Sequence, residues 1–276
     1  MRPDDIPAGL RLCRASRWNQ VARDWELFLA LSPDGCRVAI DESGEVVGSV
    51  ATLRYGSAFS WVAMVLVDPA HRGSGIGTRL LHEALILLND VSTIRLDATP
   101  AGFGVYERAG FAAEYRLQRM QRAPQAIPAP SPGDVRPMAD GDIDEVLIWD
   151  KEAFGADRRM LLETFRRDAP EYARVSGGRR GPIDGYLFGR RGHAFEHLGP
   201  LVARDDATAC RLVTECLSAH PDRAFILDAP QQAPWVAWLE SVQFTVQRPF
   251  IRMYRGERSF RERADQIFAI TGPEFG

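Results

Sequence analysis

Trp61-Val-Ala-Met-Val-Leu-Val67 runs into Asp68-Pro69-Ala-His-Arg72 and then into Gly73-Ser-Gly75-Ile-Gly77-Thr78, which opens a long apolar helix pattern reaching Leu88. The order is strand, glycine loop, helix. Three glycines in five positions let the backbone come close to a ligand. The free N–H groups of the first helical turn, with a dipole charge of about half a unit, favour an anion such as a diphosphate. A phosphate-bearing cofactor is expected here, against the plain alternative of a tight surface turn.

Three loop types compete for this stretch. A nucleoside-triphosphate loop closes on Gly-Lys-Ser/Thr, but Gly77 is followed by Thr78-Arg79, so that reading fails for want of the lysine. A dinucleotide fingerprint needs a sixth-position glycine where Thr78 stands, although Asp97 ends a strand-like run at a fitting distance, and it stays open as the runner-up. The third type is carried by Arg72-Gly73-Ser74-Gly75-Ile76-Gly77, which resembles the Arg/Gln-x-x-Gly-x-Gly/Ala pattern of the GNAT N-acetyltransferase superfamily. Downstream, Tyr106-Glu-Arg-Ala-Gly110-Phe111 resembles the Tyr-x-x-x-Gly-Phe signature that follows that family's fifth strand.

The resemblance implies acetyl-CoA as cosubstrate, with Val65, Leu66 and Val67 on a bulged, splayed strand whose main chain pairs with the pantetheine arm. Arg72, Gly73, Ser74, Gly75, Ile76, Gly77 and Thr78 would hold the diphosphate. It also implies direct attack of a neutral amine on the thioester, with a main-chain N–H at or near Val65 as oxyanion donor and Tyr106 as the acid that protonates the leaving thiolate. The competing reading of Tyr106 is an aromatic ring packed on the sheet. For the base, Asp97 is the candidate, with Asp24, Glu26 and Asp228 as equals and hydrogen bonding to the next turn as the structural alternative. His71, His82, His193, His197 and His220 form no ligand-like cluster, so no metal is expected; His197 reads as a satisfied structural histidine or as facing the acceptor.

The chain has 276 residues, 45% of them hydrophobic and 26% charged, enough for two ordinary domains. Gln121-Arg-Ala-Pro-Gln-Ala-Ile-Pro-Ala-Pro-Ser-Pro-Gly-Asp134 carries four prolines and excludes a helix, which divides the chain into 1–122, a linker at 123–134, and 135–276. In the first part Leu10–Cys13 reads as a strand and Ser16 as the cap of a helix through Trp18, Val21, Ala22, Trp25, Phe28 and Leu29. Residues 37–40 and 45–54 read as a hairpin, 93–97 as a fifth strand, 101–109 as a helix and 111–120 as closing strand.

After the linker the same order begins again, which predicts an internal repeat. Val135–Met138 reads as a strand and Asp142 as a helix cap, while 172–176, 184–191 and 197–203 read as strands; Phe225-Ile-Leu-Asp228-Ala-Pro230 echoes Ile94-Arg-Leu-Asp97-Ala-Thr-Pro100. The second copy lacks the chemistry. Its loop position holds Arg204-Asp205-Asp206-Ala-Thr-Ala209, without glycine and with two carboxylates that repel diphosphate, and the tyrosine position, counted from Phe244, holds Leu239 beside Trp238. The expected fold is α/β (α+β), two tandem GNAT-like domains, each a mixed, mostly antiparallel twisted sheet flanked by helices. The first would be catalytic and the second degenerate, so one acetyl-CoA would bind per chain.

Charge excludes a nucleic-acid surface, with 14 basic and 14 acidic residues up to Arg122 and 20 against 23 after it. Lys151 is the only lysine, and the arginine excess reads as codon composition. No run approaches the ~18 apolar residues of a membrane helix and the start has no leader pattern, so no membrane partner and a cytoplasmic location are expected. Cys13, Cys36, Cys210 and Cys216 show no metal or disulfide spacing and read as buried free thiols. The expected activity is transfer of an acetyl group to a primary amine of a small molecule or peptide, by a monomer or homodimer. A non-catalytic CoA-binding scaffold and a dinucleotide-binding protein are the alternatives. The apolar end, Gln266–Gly276, is expected to dock.

Overall fold

The computed structural model describes residues 1–128, 135–178, 181–258 and 262–276; positions 129–134 of the expected linker lie outside the described residues. Contacts divide the chain into two units. The first is Met1–Ala113 with Met253–Ser259 and Glu274–Gly276, and the second is Glu114–Arg252 with Phe260–Pro273.

In the first unit, helices α1 (Ile6–Ala15) and α2 (Ala22–Leu31) precede β1 (Cys36–Ile40), β2 (Val46–Tyr55) and β3 (Phe59–Val67). Helix α3 (Ile76–Leu87), β4 (Thr93–Ala98) and α4 (Pro100–Arg108) follow. Nearly every side chain of β2 is buried, as a strand covered on both faces requires, and α1, α2 and α3 all pack on it. Gly48 allows α3 to close in, since a Cβ there would sit 2.9 Å from Leu80 Cδ1. Leu10–Cys13 belongs to α1 and not to a strand: Gly9, Leu12 and Cys13 are buried, the spacing of one helical face. Ser16 follows α1 rather than capping α2, because the Asp24 carboxylate accepts the Val21 N–H at 2.8 Å and starts α2 at Ala22.

The second unit contains β5 (Ala112–Arg122, from Glu114 on), β6 (Val135–Pro137), α5 (Ile143–Phe154), α6 (Arg159–Asp168), β7 (Arg174–Gly177), β8 (Ile183–Arg190) and β9 (Glu196–Ala203). It continues with α7 (Asp206–Ala219), β10 (Phe225–Pro230), α8 (Ala233–Ser241), most of β11 (Thr245–Gly256) and β12 (Ile267–Ala269). Helix α6 was not anticipated from the sequence. A cluster of Leu187, Leu198, Leu201, Leu212, Leu227 and Trp235 forms the core on one face of the sheet. Gly185 admits α7 as Gly48 admits α3, a Cβ there lying 2.7 Å from Thr208 Cγ2.

The strands are exchanged at the ends of the repeats. Strand β5, which follows the first repeat's Gly110-Phe111, pairs antiparallel with β10 from Phe225↔Arg122 to Pro230↔Leu117. The end of β11 returns to the first unit beside β4, where Glu257 N donates to Ser92 O at 2.9 Å and Thr93 Oγ1 donates to Glu257 O. The apolar end docks twice. β12 pairs with β9, and in the first unit Phe275 stacks on Phe28 at 5.0 Å while its carbonyl accepts the Tyr55 hydroxyl at 2.5 Å.

Some of the arginines are built into the core. Arg122, 1% exposed, donates to the carbonyls of Val242 and Gln125, and Arg158 forms a bidentate pair with Asp150. The four cysteines are free; Cys13, Cys36 and Cys216 are buried and Cys210 half-buried. Burial pushes the Cys216 thiol up to about 12. No helix among the described residues is long and apolar enough to cross a membrane.

Candidate functional site

Strands β2 and β3 pair Gly48↔Val67 and Ser49↔Leu66, then resume at Ala51↔Ala63. Met64 and Val65 therefore oppose Val50 alone, a β-bulge, and Met64 takes a left-handed φ of 53°. On its other side β3 pairs in parallel with β4 only at Ser60↔Ile94 and Trp61↔Arg95, although the strands run on to Val67 and Ala98. They splay beyond that point. Val65, Leu66 and Val67 lie along the splay, and Asp97 lies on the opposite strand, half-buried.

At the end of β3 the loop turns through Gly73 (φ 81°) and Gly75 (φ 84°), and Gly75 is the N-cap of α3 with no side chain to fill the helix end. Among the described residues no acceptor takes the N–H of Ile76, Gly77 or Thr78, so the first turn presents free donors beside the splay. Ser74 Oγ donates to the His71 carbonyl at 2.6 Å, which fixes the loop. The Arg72 guanidinium is turned back onto Val67 O (3.3 Å) and Ser16 Oγ (3.4 Å), leaving its main chain rather than its charge at the helix end.

Tyr106 projects from α4 and meets Phe111 edge-on, ring centroids 6.0 Å apart. Gly102 lies one helical turn before it, and a Cβ there would come 2.9 Å from Tyr106 Cε2, so the missing side chain makes room for the ring. Its hydroxyl has no hydrogen-bond partner among the described residues, and burial pushes the phenol up to about 12. Neither Gly102 nor the left-handed Met64 was singled out in the sequence; Gly102, at i−4 from Tyr106 on a helix, was the legible one.

Three other base candidates are placed elsewhere. Asp24 is buried and caps α2, Glu26 is exposed and pairs with Arg23 at 3.1 Å, and Asp228 lies in the second unit. There Asp228 is fully buried, bound by Arg119 through two 2.8 Å bonds, with His197 Nε2 3.0 Å away; Arg190 donates to His197 Nδ1 at 2.9 Å. His197 is thus a structural histidine, and burial and the Arg190 charge hold it below the ordinary imidazole value.

The second unit repeats the framework and closes it. Strands β8 and β9 shift register between Leu187 and Gly189, with Gly199 and Pro200 in the bulge, and β10 pairs with β9 only at Phe225↔Glu196, Ile226↔His197 and Leu227↔Leu198. The splay beyond is filled by the chain itself: Ile267 and Ala269 of β12 pair with Val202 and Leu201, and Ile270 N donates to Asp228 O at 3.0 Å. Trp235, at the place that Gly102 has before Tyr106, donates from Nε1 to Phe268 O at 2.8 Å. Helix α7 carries its own anion, with the Asp205 carboxylate accepting the Thr208 N–H at 2.8 Å.

Family models described as acetyltransferase (GNAT) domains match residues 32–113 and, separately, 146–269. The chain belongs to the GNAT acetyltransferase family. Its fold is α/β, two GNAT folds in tandem, the second without the loop glycines and the tyrosine. It is 28% identical over 265 residues to a holothin acyltransferase of Pseudoalteromonas sp. (strain SANK 73390), covering 95% of this chain and 88% of that one. The structure of a putative acetyltransferase from Pyrococcus horikoshii superposes with a TM-score of 0.83 at 24% identity over 100% of this chain and 94% of the other. A tandem GNAT protein from the clavulanic acid biosynthesis pathway gives 0.59 at 16% identity over 86% and 88%. The GNAT assignment excludes the dinucleotide reading, which needs a parallel doubly wound sheet; here β2, beside the loop strand, is antiparallel to it.

Proposed function

We propose that the first repeat is an acetyl-CoA-dependent N-acetyltransferase acting on a primary amine of a small molecule or peptide. The observation that carries the reading is the coincidence, in one repeat only, of an open splay between β3 and β4 with a helix end whose N–H groups are free. A diphosphate fits that helix end and an extended pantetheine arm fits the unpaired strand edge, so the residues present suit acetyl-CoA.

The N–H groups of the loop from Arg72 to Thr78 would hold the diphosphate, and the main chain of Val65, Leu66 and Val67 the pantetheine arm. Acetyl-CoA supplies an activated thioester. A main-chain N–H at the bulge stabilises charge developing on the acyl oxygen, and one such donor is worth about 3 kcal/mol. The Tyr106 hydroxyl is free to donate to sulfur. With its pKa raised to about 12 it stays protonated across the working range, so ionisation of this phenol does not limit turnover below about pH 10. Asp97, on the strand across the splay, is the candidate to accept the amine proton, directly or through water. Location in the cytoplasm and a monomeric or homodimeric state complete the proposal.

Calorimetry with acetyl-CoA tests it. One molecule is expected per chain, and no binding defeats the reading. With the fastest acceptor from a panel of small primary amines, Tyr106→Phe should lower kcat about tenfold or more while acetyl-CoA affinity changes less than about twofold. An unchanged kcat would return Tyr106 to a packing role.

A further inference from the structure

Ser49 lies within Val46-Val-Gly-Ser-Val-Ala51 of β2, fully buried, and its hydroxyl donates to the Met64 carbonyl at 2.9 Å. A hydroxyl taken out of water without a partner is unfavourable, so this bond accounts for a serine in so apolar a run. The acceptor belongs to the bulge. Met64 holds a left-handed φ of 53°, which a residue bearing a Cβ adopts reluctantly, so the bulge depends on something that holds it. In the second repeat the bulge is made by Gly199 and Pro200, and the residue at the corresponding ladder position, paired with Leu201, is Leu187, which has no hydroxyl to offer.

The Met64 carbonyl and the Val65 N–H belong to one planar trans peptide and point in opposite directions. Drawing the carbonyl toward β2 turns the N–H away from β2, toward the side on which β3 and β4 separate. From this we infer that Ser49 is a positioning residue of the proposed acyl transfer: it fixes the Met64–Val65 peptide so that the Val65 N–H is the donor aimed into the splay. The inference rests on the acetyl-transfer reading above, because the N–H needs an acyl oxygen to receive it.

The test compares Ser49→Ala with Thr52→Val, which removes another buried hydroxyl from the same strand, one that donates to Gly35 O at 3.1 Å away from the bulge. Ser49→Ala is expected to lower kcat about tenfold with acetyl-CoA affinity within about twofold, to shift the Val65 amide resonance of the ligand-free protein, and to be rescued by Ser49→Thr. Thr52→Val should leave kcat and that resonance unchanged. If Ser49→Ala does not fold, Ser49→Cys, a slightly larger side chain with a weaker donor, should show the same kcat loss and resonance shift in smaller degree. A wild-type kcat and an unmoved Val65 resonance in Ser49→Ala or Ser49→Cys overturn the inference, as do equal losses in Thr52→Val. A wild-type protein that binds no acetyl-CoA defeats the acetyl-transfer reading instead, and the resonance comparison still decides whether Ser49 sets the peptide.

Discussion

The two repeats build the same opening and treat it in opposite ways. Between β3 and β4 the strand edge is left bare and the α3 end is uncapped; between β9 and β10 the edge is paired with β12 and the α7 end is occupied by Asp205. An opening of this kind exposes unsatisfied backbone groups and is stable only when they meet water, a ligand or another strand. The second repeat has taken the last of these solutions, and it has turned the adjoining polar face into a buried ion-pair cluster. A bare repeat keeps binding capacity, whereas a filled one gains packing.

If that contrast is sound, the second repeat should be the more sensitive to loss of a strand-end aspartate. Asp228→Ala leaves Arg119 buried without its counter-charge and should cost about 3–5 kcal/mol in chemical denaturation, whereas Asp97→Ala, at a half-buried site, should cost a fraction of that. The pH dependence follows the same cluster. Burial alone raises the Asp228 carboxyl, but the Arg119 charge, the two hydrogen bonds from Arg119 and the nearby His197 ring outweigh it and hold the group well below the usual carboxylate range. That contribution is complete above about pH 4 and is lost as pH falls further. His197, kept below the ordinary imidazole value, adds stability above about pH 6.5 that fades below it as the unfolded chain takes up the proton. Wild-type stability should fall in both windows, and Asp228→Ala should flatten the lower one. Equal costs for the two aspartates would show that the cluster is not what distinguishes the repeats.

Converting the first repeat toward the second is the next test. Gly75→Asp places a carboxylate at the α3 end, as Asp205 does at α7. Acetyl-CoA affinity should fall at least about a hundredfold, roughly 2.7 kcal/mol, by calorimetry. Stability should change by less than about 1 kcal/mol, because the strain of an aspartate at a φ of 84° is offset by its interaction with the helix end. Retained affinity would move the diphosphate away from this loop.

What could be read from the sequence was local. The glycine loop, the Gly110-Phe111 corner and the echo at Asp228 are each fixed by a few neighbouring residues, so spacing alone exposed them. Leu10–Cys13 failed because two leucines two apart suit a strand as well as a helix, and only Gly9 packed beneath Trp25 decides for the helix. The strand exchange and β12 could not be read at all, since Ile267 finds its partner at Val202 and Phe225 at Arg122, pairings that no local pattern encodes. The Ser49–Met64 bond has the same origin: a lone serine in an apolar strand is visible, but its acceptor fifteen residues away is not.

The smallest effect discriminates most finely between the two closures of the second repeat. Asp205→Gly with Asp206→Ser strips the anion from α7 and loses the bond to Thr208 N, at a cost of less than about 1 kcal/mol, since glycine is itself an acceptable N-cap. If the carboxylates alone kept acetyl-CoA out, this variant would bind a second molecule. Because Ile267 and Ala269 already pair with the edge of β9 and Ile270 with β10, the strand edge a pantetheine arm would need is not available, and calorimetry should still give one site. A stoichiometry of two would mean that β12 yields to the ligand and that the anion at α7 is the true barrier.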